Sequence, residues 1–108
     1  MYQGTTPSIP IRFEGINLME AKVIISLYDE QKKIRYDYES GKDFMIHTEG
    51  DDSVTELSMT QDQTLNLGTG LISIQARYIY SNGSCGATQR ASIQMQSVLN
   101  KEVISYDG

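Results

Sequence analysis

Apolar side chains recur at every second position of this chain, in short runs closed by Gly, Asn, Asp or Pro. A period of two puts alternate side chains on opposite faces of an extended strand, so the pattern selects β-sheets with one buried face. Ile9, Ile11 and Phe13 point one way, with Ser8 and Arg12 opposite. Pro7 and Pro10 carry no N–H for a ladder, which predicts a strand at a sheet edge. In AKVIISLYD, Ala21, Val23, Ile25 and Leu27 share a face, and this most apolar run is expected at the centre of a sheet. Gln31-Lys32 connects it to KIRYDYE, where Ile34, Tyr36 and Tyr38 alternate with Arg35, Asp37 and Glu39, so the two runs read as a hairpin. Asp29-Glu30 and Lys32-Lys33 form its charged tip.

The pattern continues with a turn at ESGKD, a short strand at FMIH and a turn at EGDDS. In SVTELSM, Thr55, Leu57 and Met59 alternate with Val54, Glu56 and Ser58. TQDQTLNLGTG breaks the period: Thr60 followed by Gln61-Asp62-Gln63 is a capping-type start, Leu65 and Leu67 sit in a compact helical turn, and Gly68 and Gly70 end it. LISIQARYIY then places Ile72, Ile74, Ala76, Tyr78 and Tyr80 on one face. SNGSCG, with its Asn82-Gly83 pair, reads as a hairpin loop, and the returning ATQRASIQM gathers Ala91, Ile93 and Met95. Turns spaced in this way give about seven strands in a sandwich or barrel. The fold class is all-β with one short helical turn. It is expected as one domain over residues 1–108, with residues 1–7 an extended arm and about 105–108 a frayed tail.

Composition narrows the function classes. Net charge is −5 with a pI near 4.7, and the carboxylates are scattered, which argues against nucleic acid as the partner because a phosphate backbone needs a basic surface. No apolar stretch approaches the roughly 20 residues of a membrane span and no signal peptide precedes residue 9, so membrane insertion is not expected. Cys85 is the single cysteine, so it has no intrachain disulfide partner. His47 is the single histidine, and no Gly-x-Ser-x-Gly surrounds any serine, so the constellation of a hydrolase is missing. Glu49, Asp51 and Asp52 cluster in EGDDS without the twelve-residue ligand spacing of an EF-hand, and a solvated turn is expected there. Gly68-Thr69-Gly70 lacks the strand-to-helix setting of a phosphate loop. No catalytic residue, metal site or cofactor is expected. The seven tyrosines also suggest sugar stacking, with Tyr36 and Tyr78 as candidates, against the commoner role of such residues in cross-strand packing.

The opening MYQGTTPSIPIRF resembles the start of small proteins encoded in prophage regions of Gram-positive bacteria, which begin Met-Tyr-Gln-Gly-Thr-Thr-Pro. The likeness runs on through SMTQDQTLNL, ISIQARYIYSNGS and a final KEVI (Lys101, Glu102, Val103, Ile104), although Pro10 and Ile11 replace the usual threonine and aromatic alternation. The resemblance implies an immunoglobulin-like antiparallel β-sandwich, similar to the amino-terminal domain of phage baseplate upper proteins. It also implies a non-catalytic virion or assembly component whose partners are other phage structural proteins, with self-association in a symmetric particle. Such a protein would occupy the host cytoplasm during assembly and then the virion. The alternative is a host-surface glycan-binding module. Tyr2, Pro7, Ile9 and Ile11 are the candidate protein-interface residues. Gly4 lets the arm turn, and Pro7 restricts Thr6 to extended backbone. The stiff arm has two destinations, a neighbouring subunit or an edge of its own sandwich.

Overall fold

The computed structural model describes residues 1–106. Its elements in chain order are β1 (Ser8–Phe13), β2 (Lys22–Asp29), β3 (Ile34–Glu39), β4 (His47–Glu49), β5 (Asp52–Ser58), α1 (Gln61–Asn66), β6 (Gly70–Ile79), β7 (Cys85–Ala87) and β8 (Ala91–Met95). They form two antiparallel sheets. One has the order β1-β5-β4; the other has the order β3-β2-β6, with β7 and β8 both paired along the far side of β6. These are the orders B-E-D and C′-C-F-G of an immunoglobulin-like sandwich, with β7 and β8 together in the last place.

Alternation explains the core. Val23, Ile25 and Leu27 of β2 meet Leu57 of β5 and Ile72 of β6, all at most 1% exposed. Each such side chain contributes about 1.5–3 kcal/mol by leaving water. Central β2 is buried at every second residue, as expected, and Asp29 continues that series on the inner face. Asp29 is therefore no tip charge. It is 2% exposed and accepts N–H bonds from Gln31 (3.0 Å) and Lys32 (3.4 Å), and from Gly68 at 2.6 Å across the fold. The hairpin reverses at Lys33 with φ +56°, the sole positive φ outside glycine among the described residues.

The helical turn forms as the capping-type start predicts, and its cap is a reciprocal box between Thr60 and Gln63. Thr60 Oγ1 accepts from Gln63 N–H at 3.2 Å, and Gln63 Oε1 accepts from Thr60 N–H at 3.1 Å, a cap worth about 1 kcal/mol. Gln63 Oε1 also accepts from the Tyr38 hydroxyl at 2.9 Å. Burial pushes the Tyr38 phenol up to about 12.

Three details differ from expectation. The short strand is His47–Glu49 rather than FMIH, because Phe44 turns into the core and Thr55 Oγ1 donates to Met45 O. Only Gly50-Asp51 of EGDDS then forms the turn: Glu49 pairs with Asp52, and Gly50 at φ +61° takes the first central position of a two-residue hairpin. The loop after β6 closes before Cys85, with Tyr80 N–H bonded to Ser84 O at 2.8 Å. The return strand is two pieces, making eight strands. Arg77 pairs with Ala87 and Ile74 with Ala91, three steps on β6 against four on the return, so one extra residue is inserted as a β-bulge. Thr88 stabilises it: its N–H bonds Ala76 O at 2.9 Å and its hydroxyl accepts from Ala76 N–H at 3.0 Å. Of the expected frayed tail, residues 107 and 108 lie outside the described residues. The chain before them is held at Ile104, whose N–H and carbonyl both bond the Gln61 side chain at 2.9 Å.

Candidate functional site

The N-terminal arm takes its own sheet. The Met1 amine donates to Gln94 O at 2.9 Å, Gln96 N–H to Met1 O at 2.6 Å and Gln3 N–H to Gln96 O at 2.9 Å, which lays the arm parallel to the end of β8. Gln3, which the sequence pattern did not mark, is the anchor. It is 3% exposed, its Nε2 donates to Leu67 O at 2.7 Å, and its Oε1 accepts from Lys101 Nζ at 3.0 Å. Gly4 turns the chain at φ +74°, and a Cβ there would meet Leu65 at 3.3 Å. Thr5 O then accepts from the buried Thr64 hydroxyl at 2.8 Å. The Gln-Gly-Thr of the opening thus locks the arm to the helical turn, a role visible only with Leu67 and Thr64 in place.

Beyond the arm, β1 is an edge, as its prolines predict; no described strand covers its outer side. Met59 N–H bonds Pro7 O, and the antiparallel alternation from that pair puts Ile9, Ile11 and Phe13 in hydrogen-bonded pairs with β5. Ser8, Pro10 and Arg12 therefore direct their backbone groups outward, so the missing N–H of Pro10 costs the ladder nothing. Between this edge and β8 the two sheets part. A cleft of about 330 Å³ opens there, lined mainly by Ile9, Ile11, Phe13, Ile74 and Ile93. It takes in Ile9 and Ile11 of the expected interface residues and leaves out Tyr2 and Pro7. Tyr2 lies on the arm, 51% exposed.

Tyr36 and Tyr78 are half-buried on the inner side of the larger sheet. The Tyr36 hydroxyl accepts from Asn66 Nδ2 at 3.2 Å. The Tyr78 ring lies edge-on to Tyr80, with centroids 5.8 Å apart, and covers Gly86, where a Cβ would come within 2.4 Å of it. Tyr36 pairs with Leu27 on one side of β2, and Tyr78 pairs with Val23 on the other. The two rings therefore form no common platform.

Of the titratable residues of EGDDS, Glu49 and Asp52 are engaged by neighbours. Asp52 Oδ1 accepts from Gly15 N–H at 2.8 Å and Oδ2 from Arg12 at 2.7 Å, with Glu49 3.2 Å from the same guanidinium. The Gly15 bond first, then Arg12, holds the Asp52 carboxyl below its usual range. The paired carboxylates, Asp52 first, raise the Arg12 guanidinium in turn. His47 is exposed on β4 and Cys85 exposed on β7, in different sheets. Among the described residues no three His, Cys, Asp or Glu side chains converge as a metal site, and no helix is long and apolar enough to cross a membrane. No family model, curated protein or solved structure matches this chain.

Proposed function

We propose that this protein is a non-catalytic structural or assembly component of a phage or prophage particle, of tail or baseplate type, working through contacts with other particle proteins. The observation that carries the reading is the cleft beside β1. An uncovered strand edge lies next to apolar side chains at two-residue spacing, which suits an extended segment added to the sheet. The occupant is an extended stretch of a neighbouring particle protein. Backbone bonds to Ser8 and Arg12, on either side of Pro10, would fix its register, and alternate apolar side chains would fill the space against Ile9, Ile11 and Ile93. The resemblance of the opening heptad and of SMTQDQTLNL to prophage-encoded proteins supplies the biological setting. In that setting the chain works in the host cytoplasm during assembly and then in the virion, and particle symmetry would bring copies together.

Mass spectrometry of purified particles released after prophage induction tests the reading. Peptides of β6 at a stoichiometry comparable with the major tail proteins are the expected result. Absence from the particles, with the chain abundant in the lysate, would overturn it.

A further inference from the structure

Charge is unevenly distributed over this acidic chain. The outer face of the larger sheet carries Lys22, Arg35, Arg77 and Arg90 against only Asp37 and Glu39, and the remainder holds five cations against twelve carboxylates. Three of the four arginines therefore stand on one face. Asp37 and Glu39 are already neutralised there, Asp37 by Arg35 at 3.2 Å and Glu39 by Lys22 at 2.9 Å. No carboxylate of the described residues pairs with Arg77 or Arg90.

Strand pairing sets these groups around one shallow trough of about 420 Å³. Arg35, Arg77 and Arg90 stand on its walls. Between them lie Ser26, Tyr28, Ser73 and Gln75, in two rows that β2 and β6 align: Ser26 opposite Gln75, and Tyr28 opposite Ser73. Asp37 Oδ1 accepts from Ser26 Oγ at 2.6 Å while Oδ2 holds Arg35, so one carboxylate orders both a hydroxyl and a guanidinium. The bulge between β7 and β8 brings Arg90 to this wall. Bulges are a recurring means of re-aiming one side chain.

We infer that this trough binds an acidic polysaccharide. A guanidinium fork matches a carboxylate or phosphate oxygen pair, and Arg77 and Arg90 hold two such forks without an internal acid to occupy them. Ser26 donates to Asp37 and Gln75 Nε2 to Thr88 O at 2.8 Å, which leaves the Tyr28 and Ser73 hydroxyls and the Gln75 amide oxygen to meet sugar hydroxyls. Tyr28 is the one aromatic residue of the trough and no aliphatic side chain lines it, so it offers no apolar pocket in which a protein partner's anchor would be desolvated. The trough is open, as a polymer passing along the sheet requires. At physiological salt the screening length is about 8 Å, so at contact these arginines outweigh the acidic surface elsewhere. Gln75 lines both this trough and the cleft beside β1, but none of the trough's three arginines lines that cleft, and the site does not depend on the particle reading.

Titration calorimetry with polygalacturonate tests the inference, with neutral dextran and poly-L-glutamate as comparisons. The expected result is binding to polygalacturonate that weakens as salt rises, with no binding to dextran and markedly weaker binding to poly-L-glutamate. Arg77→Ala and Arg90→Ala are each expected to weaken it about tenfold, while Lys42→Ala, which removes the same charge from an exposed loop, changes it little. All three positions are exposed, and an unchanged circular dichroism spectrum verifies the fold. Absence of polygalacturonate binding would overturn the inference. So would binding unaffected by either arginine substitution, or poly-L-glutamate bound equally well, since the trough would then recognise charge alone.

Discussion

Asp29 and Asp52 hold two corners of the sandwich by the same device, a carboxylate accepting a backbone N–H from a distant segment. Asp29 reaches Gly68 at 2.6 Å and Asp52 reaches Gly15 at 2.8 Å. Their surroundings differ. Asp29 is 2% exposed and its oxygens serve three backbone N–H groups, that of Gly68 buried and those of Gln31 and Lys32 half-buried. Asp52 lies at the surface, where its second oxygen meets an Arg12 that is itself half in water. Similar bonds should therefore be worth unequal amounts, because an unsatisfied buried donor bears the full desolvation penalty and an exposed one finds water.

The same substitution at both corners measures the difference. Asp29→Asn keeps the shape but sets its NH2 against either the buried Gly68 N–H or the half-buried pair from Gln31 and Lys32. A loss of about 3 kcal/mol in unfolding free energy is expected by denaturant titration. A loss as small as that at Asp52 would show that burial adds nothing to the Asp29 bonds. Next in size is Gly68→Ala. Its new Cβ would sit 2.7 Å from Asp29 Oδ2, and with that oxygen pinned by the Gly68 N–H, about 2 kcal/mol should be lost. If Asp29→Asn and Gly68→Ala are combined, the losses should fall short of additive, since both act on one bond.

Asp52→Asn has the smallest effect. The amide oxygen can still accept from Gly15, and water takes over at Arg12. Its clearer signature is in pH dependence. A carboxylate held below its usual range contributes stability above its unfolded value, about 3.9, and loses that contribution as pH falls through its lower folded value. The wild-type chain should therefore lose stability below about pH 4 more steeply than Asp52→Asn does, with the two curves parallel near neutrality. Identical acid limbs in thermal melts at successive pH values would show that Asp52 contributes nothing there.

Legibility in the sequence follows the range of the interaction. The parity of β1, β2, β3, β5 and β6 is local, because successive side chains on a strand alternate whatever the partner strand is. The inner faces were therefore readable, and so was the capping-type start of α1, which spans four residues. By the same parity Asp29 falls on the core face after Leu27, a signal that its charge masked. The shift of β4 was not legible, since a tight turn at Gly50 competed with apolar Phe44, Met45 and Ile46, and only the core position of Phe44 resolved it. Among the expected interface residues, Ile9 and Ile11 share a cleft whose other wall comes from β6 and β8. Tyr36 and Tyr78 look equivalent as alternating tyrosines, yet strand pairing places them on opposite sides of β2.

The all-β character, the apolar faces, the edge strand and the helical turn each rest on backbone geometry within a few residues, so residue order was enough to set them. Long-range packing made Gln3 a buried anchor, laid the arm on its own sheet, brought Arg90 to the trough that Arg77 lines, and joined Asp29 to Gly68. Each of these joins residues tens of positions apart or depends on strand register, which is set only when whole faces pack and every buried polar group has to find its partner.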